Sequence, residues 1–174
     1  MKKIAKFAGG CFWCTEAVFA NLKGVEKVVP GYSGGSVENP SYEQVSSGET
    51  GHAESIQITF DHKVISYDEL LYVFWKTHDP TQLNRQGEDV GPQYRSAIFY
   101  HDEVQKEKAL KSKTEAQKLY ASPIVTEIIP FKNFYPAEEY HREYYLKNRN
   151  APYCRLVIDP KIQKLRQEFK DLLR

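Results

Sequence analysis

Hydrophobic positions along this chain fall into short runs of two distinct periods, separated by polar, glycine-rich stretches. Residues 4–8 read as a short strand, and residues 13–23 as a helix stopped by Gly24, with Ala17, Val18 and Leu22 on its apolar face. Residues 25–31 form a second strand. Over residues 52–60 the alternation is clear: His52, Glu54, Ile56, Ile58 and Phe60 share one face, and Ala53, Ser55, Gln57 and Thr59 the other. Ser66-Tyr67-Asp68-Glu69 is a capping box that opens a helix to about Thr77, stopped by His78-Asp79-Pro80.

Residues 95–100 are strand-like. Asp102, with Gln105 three positions on, caps a long surface helix to about Tyr120 that ends at Ser122-Pro123, and residues 125–130 return as a strand. Residues 137–147 read as a helix carrying His141 among three tyrosines. Residues 148–152 read as a flexible lead to Cys154, and Asp159-Pro160 as the start of a terminal helix. Two long segments, 32–51 and 81–94, are too polar for core and read as irregular, function-bearing loops. Interleaved strands and helices, with no linker or repeat, predict one domain over 1–174 of α+β class, a two-layer sandwich of helices on a mixed sheet.

Composition narrows the function. At 174 residues and 41% hydrophobic the chain can bury a sizeable core. Its 24 basic and 23 acidic residues, without a long charge run, leave no footprint for nucleic acid or an anionic membrane, so a small polar or peptidic substrate is expected. Lys2 and Lys3 mimic the start of a signal peptide, but Lys6 breaks the apolar run too early, and no stretch is long enough to span a bilayer. Three unevenly spaced cysteines suit a reducing cytoplasm better than a disulfide framework.

Candidate chemistry concentrates at Gly9-Gly10-Cys11-Phe12-Trp13-Cys14. A cysteine after a Gly-Gly turn, at the first turn of a helix, faces free N–H groups and the positive end of the helix dipole, both of which favour thiolate. Cys14 is close enough in sequence to form a disulfide with Cys11, although free cysteines are also commonly small buried hydrophobes. Glu54 stands on an apolar strand face. Desolvation there would raise its pKa and make it a neutral acid; the alternatives are a solvated strand end or pairing with a cation such as Arg95. Tyr42, Tyr94 and Asp89 sit in the polar segments, where a tyrosine by itself usually only packs a ring. His141 by itself reads as a satisfied histidine, and Cys154 as either a reactive thiol or the inert start of an apolar run.

Taken together, these segments resemble the A-type peptide-methionine sulfoxide reductases. The likeness runs through Gly9-Gly10-Cys11-Phe12-Trp13, Gly31-Tyr32-Ser33-Gly34-Gly35, Asn39-Pro40-Ser41-Tyr42 and Gly48-Glu49-Thr50-Gly51-His52-Ala53-Glu54. It continues through His78-Asp79-Pro80, Arg85-Gln86-Gly87, Gln93-Tyr94-Arg95-Ser96 and Ala137-Glu138-Glu139-Tyr140-His141. The resemblance implies a ferredoxin-like core and reduction of the S epimer of free or peptide-bound methionine sulfoxide. It implies that Cys11 attacks the sulfoxide sulfur, that Phe12 and Trp13 hold the S-methyl group, and that Glu54 protonates the sulfoxide oxygen while Tyr42 and Tyr94 donate hydrogen bonds to it. Asp89 and His141 would contact substrate or bound water.

Cys11 would be left as a sulfenic acid, condensing with Cys154 or Cys14. Cys154 resembles a carboxyl-terminal resolving cysteine, with Cys14 as direct competitor or second relay. Cys14 stands where many relatives have glycine or alanine, and Pro92 where a threonine is usual. Thioredoxin, or dithiothreitol in its place, would close the cycle, with no metal or organic cofactor, in a cytoplasmic monomer. Two other readings stand beside this one: a thioredoxin-like dithiol oxidoreductase built on Cys-x-x-Cys, and a zinc-stabilised binding module using Cys11, Cys14, Cys154 and His141.

Overall fold

A computed structural model describes residues 2–174, and Met1, the only methionine, lies outside the described residues. The strands are β1 (Lys2–Gly9), β2 (Val25–Ser33), β3 (Ala53–Asp61), β4 (Arg85–Gln86), β5 (Asp89–Val90), β6 (Ser96–Tyr100), β7 (Glu127–Pro130) and β8 (Tyr135–Pro136). The helices are α1 (Phe12–Ala20), α2 (Tyr42–Ser46), α3 (Tyr67–Thr77), α4 (Glu103–Gln117), α5 (Tyr144–Lys147) and α6 (Asp159–Glu168). Six strands form one sheet in the order β7-β6-β1-β3-β2-β8, and β4 pairs with β5 in a separate hairpin.

The central four strands, β6-β1-β3-β2, are antiparallel throughout, and β1-α1-β2-β3-α3-β6 is the ferredoxin-like arrangement. β7 joins β6 in parallel, which makes the sheet mixed. The period-2 pattern sets which face is buried. Ala5 and Phe7 of β1, Ile56, Ile58 and Phe60 of β3, and Ile98 of β6 join one core with Val18, Phe19, Leu70 and Phe74 from the helices. Phe7 meets Phe74 at a ring-centroid distance of 4.9 Å and Phe19 at 5.6 Å, and each such buried ring contributes roughly 1.5–3 kcal/mol through burial. The opposite face carries a smaller cluster of Ala8, Ala53, Ala97 and Phe99.

The helix starts follow their side chains. Ser66 accepts the Glu69 N–H while Glu69 reaches back to the Ser66 N–H, and Asp102 accepts the Gln105 N–H at 2.8 Å. Ser41 and Gln44 build a second capping box inside the segment expected to be irregular, which makes α2. The β4–β5 hairpin and a 3₁₀ turn over Pro92–Tyr94 likewise order the other polar segment.

Two expectations are corrected. Residues 137–147 are not one helix: they hold a 3₁₀ turn at Glu139–His141, an extended Arg142, a left-handed Glu143 and only then α5. Tertiary hydrogen bonds replace the helical ladder there, since the Glu143 N–H goes to Glu16 and the Glu138 carboxylate is taken by Tyr32 and Tyr42. Nor does the lead to Cys154, read as flexible over 148–152, stay irregular to its end. A helical run begins at Pro152 and widens into a π turn at Cys154–Ile158 before α6. Pro152 suits a first helical position, and Pro160, which has no N–H to donate, sits where the wider turn gives way to α6.

Candidate active site

Antiparallel pairing gathers the chemistry at one end of the sheet. Gly9, the last residue of β1, pairs with Ser96 at the start of β6, just past Tyr94. Phe7 pairs with Ile56, so the same register carried two residues on sets Glu54 beside the end of β1. Tyr32, at the end of β2, pairs with Glu54. Gly10 turns the chain at φ +95°, and Cys11 follows as the N-cap of α1. The backbone N–H of Phe12 donates to Glu54 Oε1 at 3.1 Å, which ties the first turn of α1 to β3.

Glu54 is 1% exposed and its Oε2 has no partner among the described residues. Burial pushes its pKa up to about 8, against the pull of the Phe12 N–H and with help from Asp89 and Cys14, so the carboxyl is mainly neutral at pH 7 with Oε2 free to carry the proton. The Arg95 pairing is not made, because that guanidinium goes to Glu127 at 2.7 Å and to the carbonyls of Pro92 and Gly51.

The helix start does not acidify Cys11. Burial raises its pKa well above the usual thiol range, assisted by the hydrogen bond with Cys14 and the nearby Glu54 charge, and the Trp13 N–H offsets only part of this. Cys14 is lowered to about 7 because it accepts from Cys11, with Lys161 and Tyr153 adding to the effect against burial. Burial thus disfavours charge on Cys11, and the hydrogen bond from Cys11 favours it on Cys14. Desolvation of a residue that is 6% exposed outweighs the end of one nine-residue helix.

Tyr42 opens α2 and Tyr94 closes its 3₁₀ turn, and both pack half-buried against the core. Burial raises both hydroxyl pKa values, as does the charge of Glu54 and of Cys11, so the two phenols face the same centre as neutral donors. Phe12 is fully buried and packs on Tyr32, Tyr42 and His141. Trp13 is half-buried, stacked on Tyr144 at 3.7 Å with 7° between the planes, and its indole N–H donates to His141 Nδ1 at 3.0 Å. His141 is buried and burial lowers its pKa, which keeps it neutral with its proton on Nε2. Asp89 accepts the Tyr153 hydroxyl at 2.6 Å, and that same hydroxyl lies 3.5 Å from Cys14 Sγ.

The structure thus brings Cys11, Cys14, Glu54, Tyr42, Tyr94, Phe12, Trp13, Asp89 and His141 to one end of the sheet. Cys154 is fully buried in its π turn, near enough for the Cys14 charge to raise its pKa further after burial does so. All three cysteines are free. Tyr144 and Tyr153 were not expected here; the three tyrosines around His141 signalled the first, and adjacency to Cys154 was the sole hint of the second. Glu138, which accepts Tyr32 Oη–H at 2.8 Å and the Tyr42 N–H at 2.9 Å, stands in the 137–141 segment of the resemblance but was given no role there. Among the described residues no group of three His, Cys, Asp or Glu side chains is placed to hold a metal ion.

Known proteins share this sequence and fold. The family model described as peptide methionine sulfoxide reductase matches residues 3–173. A peptide methionine sulfoxide reductase MsrA of Thermus thermophilus is 56% identical over 173 residues, covering 99% of this chain and 98% of the relative. Among solved structures, reduced Mxr1 of Saccharomyces cerevisiae superposes with a TM-score of 0.84 at 38% identity, covering 88% of this chain and 89% of the other. Mxr1 in complex with Trx2 superposes with a TM-score of 0.60 at 30% identity, covering 82% and 84%. With the cysteine pair, the buried carboxyl and the aromatic wall already assembled at one end of a ferredoxin-like sheet, these matches settle the family: the chain belongs to the peptide methionine sulfoxide reductases and is an oxidoreductase that returns methionine sulfoxide to methionine.

Proposed function

We propose that the chain reduces the S epimer of methionine sulfoxide, free or peptide-bound, by attack of Cys11 on the sulfoxide sulfur with Glu54 as general acid. The observation that carries this reading is the buried Glu54 carboxyl, bonded to the Phe12 N–H beside Cys11 and neutral at pH 7. Expelling the sulfoxide oxygen requires a proton, and Oε2 has one to give. As that proton moves, the sulfoxide sulfur becomes electrophilic and Cys11 bonds to it while passing its own proton to the Glu54 carboxylate; the hydroxyl then transfers from the substrate sulfur to Cys11 Sγ as the new S–S bond breaks and the thioether leaves. Tyr42 and Tyr94 donate to the oxygen as charge develops there.

The balance is closed within the chain. Cys11 thiol and sulfoxide become Cys11 sulfenic acid and thioether, a two-electron exchange. A second thiol, Cys14 or Cys154, then attacks the sulfenic sulfur, releasing water and leaving a disulfide, which thioredoxin reduces by dithiol exchange. Because thiols supply both electrons, no metal or organic cofactor is needed. The Mxr1–Trx2 complex supports thioredoxin as the reductant. Stereochoice follows from three points at a chiral sulfur: methyl against Phe12 and Trp13, oxygen toward Glu54 and the tyrosines, and attack from Cys11. The reading takes the chain as one cytoplasmic, monomeric domain; among the described residues no helix is long and apolar enough to cross a membrane.

A single-turnover assay tests it. Wild type, Cys14→Ser and Cys154→Ser are given S-methionine sulfoxide without reductant, and methionine released and thiols lost are counted by mass spectrometry. Stoichiometric methionine from all three is expected, with the disulfide missing from whichever variant lacks the resolving cysteine. No methionine from wild type, or equal turnover of the R epimer, overturns the reading.

A further inference from the structure

Glu16 lies outside the chemistry assigned so far, yet it is the fifth residue of α1 and only 4% exposed. Among the described residues it makes no salt bridge, although the Arg142 charge reaches it. Its Oε2 accepts the backbone N–H of Glu143 at 3.0 Å, and Oε1 has no partner among the described residues. Glu143 is one of three non-glycine residues with positive φ, at +53°. A left-handed non-glycine residue persists where surrounding contacts over-determine it. Here the contact is a buried carboxylate reaching across 127 positions of sequence.

The next residue is Tyr144, which begins α5 and lies face to face with Trp13 at 3.7 Å. Glu16 and Trp13 are three residues apart on α1, so they share one side of the helix. The same helix thereby presents the indole and holds the backbone that lays a tyrosine over it. We propose that Glu16 is a positioning residue for the substrate pocket: by accepting the Glu143 N–H it fixes the left-handed turn that sets Tyr144 on Trp13. This rests on the reading of Trp13 as the wall for the substrate methyl group.

Burial raises the Glu16 pKa to about 7, which is the cost of keeping a carboxyl at this place. A residue needed only to fill space would be met by an apolar side chain at no such cost.

The test uses the full chain with Trp75→Phe, so that Trp13 is the only tryptophan, and compares Glu16→Ala with Glu16→Gln. Glu16→Ala is expected to raise KM for methionine sulfoxide about tenfold with the saturating single-turnover rate changed less than about twofold, and to change Trp13 fluorescence as the stacked tyrosine moves. Glu16→Gln keeps an acceptor and is expected to restore both. If Glu16→Ala folds poorly, Glu16→Ala with Glu143→Gly replaces it, because glycine takes the left-handed turn without support; wild-type KM and fluorescence in that pair support the proposal. Unchanged Trp13 fluorescence in folded Glu16→Ala overturns it, as does a double variant no better than the single. A fluorescence change with KM unaltered instead overturns the reading of Trp13 as the pocket wall, and the substrate-pocket role of Glu16 with it.

Discussion

The indole N–H of Trp13 donates to Nδ1 of His141 at 3.0 Å, joining residues 128 positions apart. The bond fixes both the plane of the indole and the tautomer of the imidazole. His141 sits in turn against Tyr42 at 4.4 Å and Phe12 at 5.1 Å, so one neutral ring holds the proposed methyl wall and one of the proposed oxygen donors together.

His141→Phe keeps the ring and removes the acceptor. The Trp13 N–H then loses its partner, which costs roughly 1–3 kcal/mol where the group stays buried. The expected outcome is a KM for methionine sulfoxide raised about tenfold, equivalent to roughly 1.4 kcal/mol, with a smaller effect on the saturating rate. Steady-state kinetics with excess reductant checks it, and an unaltered KM would separate the Trp13–His141 bond from substrate binding.

The pKa of Glu54 predicts the pH profile of the first step. Its folded value, about 8, lies above the 4.5 of a free carboxyl, so the folded state holds a proton that the unfolded chain gives up as pH rises from 4.5. Stability from this group is therefore full below 4.5 and falls by up to about 1.4 kcal/mol per pH unit until about 8, where the folded form also ionises. Single-turnover reduction should fall as pH passes about 8, because the acid has lost its proton. Glu54→Gln should slow the step by about 10²–10⁴-fold, flatten that limb and flatten the stability slope. An unchanged rate would place the acid elsewhere.

Much of this was legible in the sequence where local and tertiary demands coincide. Alternation through Glu54, Ile56, Ile58 and Phe60 gave β3 and its buried face, and Ser66 and Asp102 marked two helix starts that stand as read. The protonation of the cysteine pair was not legible. A helix start favours thiolate locally, but the neighbours that desolvate Cys11, and the proximity of Glu54, come from other strands and loops. Residues 137–147 failed for the same reason: good helix formers surrender their ladder where Glu16 and Glu138 take other partners. Tyr153 reaches Cys14 across 139 positions, a relationship no periodicity encodes.

That Tyr153 contact predicts how Cys14 responds. Cys14 is lowered to about 7 chiefly by Cys11, and the Tyr153 hydroxyl adds to the shift when its one proton turns from Asp89 to the Cys14 thiolate 3.5 Å away. Tyr153→Phe removes the hydroxyl and keeps the ring edge-on to Trp13. Cys14 should then titrate higher, read as the pH dependence of its alkylation by mass spectrometry. If Cys14 resolves the sulfenic acid, disulfide formation at pH 7 should slow several-fold in the same variant. A Cys14 titration identical to wild type would show that Tyr153 only packs.

Gly10 tests whether backbone geometry alone delivers Cys11. The residue stands at φ +95°, where an L side chain is strained by about 1–2 kcal/mol, and a Cβ built there lies 2.8 Å from both Cβ and Cγ of Gln86. Gln86 has little room to give way, since its side-chain amide brackets the backbone of Asp79, accepting the N–H at 2.9 Å and donating to the carbonyl at 2.9 Å. Asp79 follows His78, whose imidazole bridges the Phe74 carbonyl and the Ser96 hydroxyl. Gly10→Ala therefore presses on a chain of contacts running to β6, so the strain is expected to pass to the next residue, Cys11. The expected result is a folded protein whose single-turnover rate drops more than about tenfold, because misplacing reacting groups by about 1 Å can cost 10²-fold. Circular dichroism confirms the fold, and Gln86→Gly combined with Gly10→Ala should recover part of the rate, because only glycine at 86 removes both the Cβ and the Cγ that the new methyl meets. Full activity in Gly10→Ala would mean that the turn adapts and that Cys11 is placed by α1 alone.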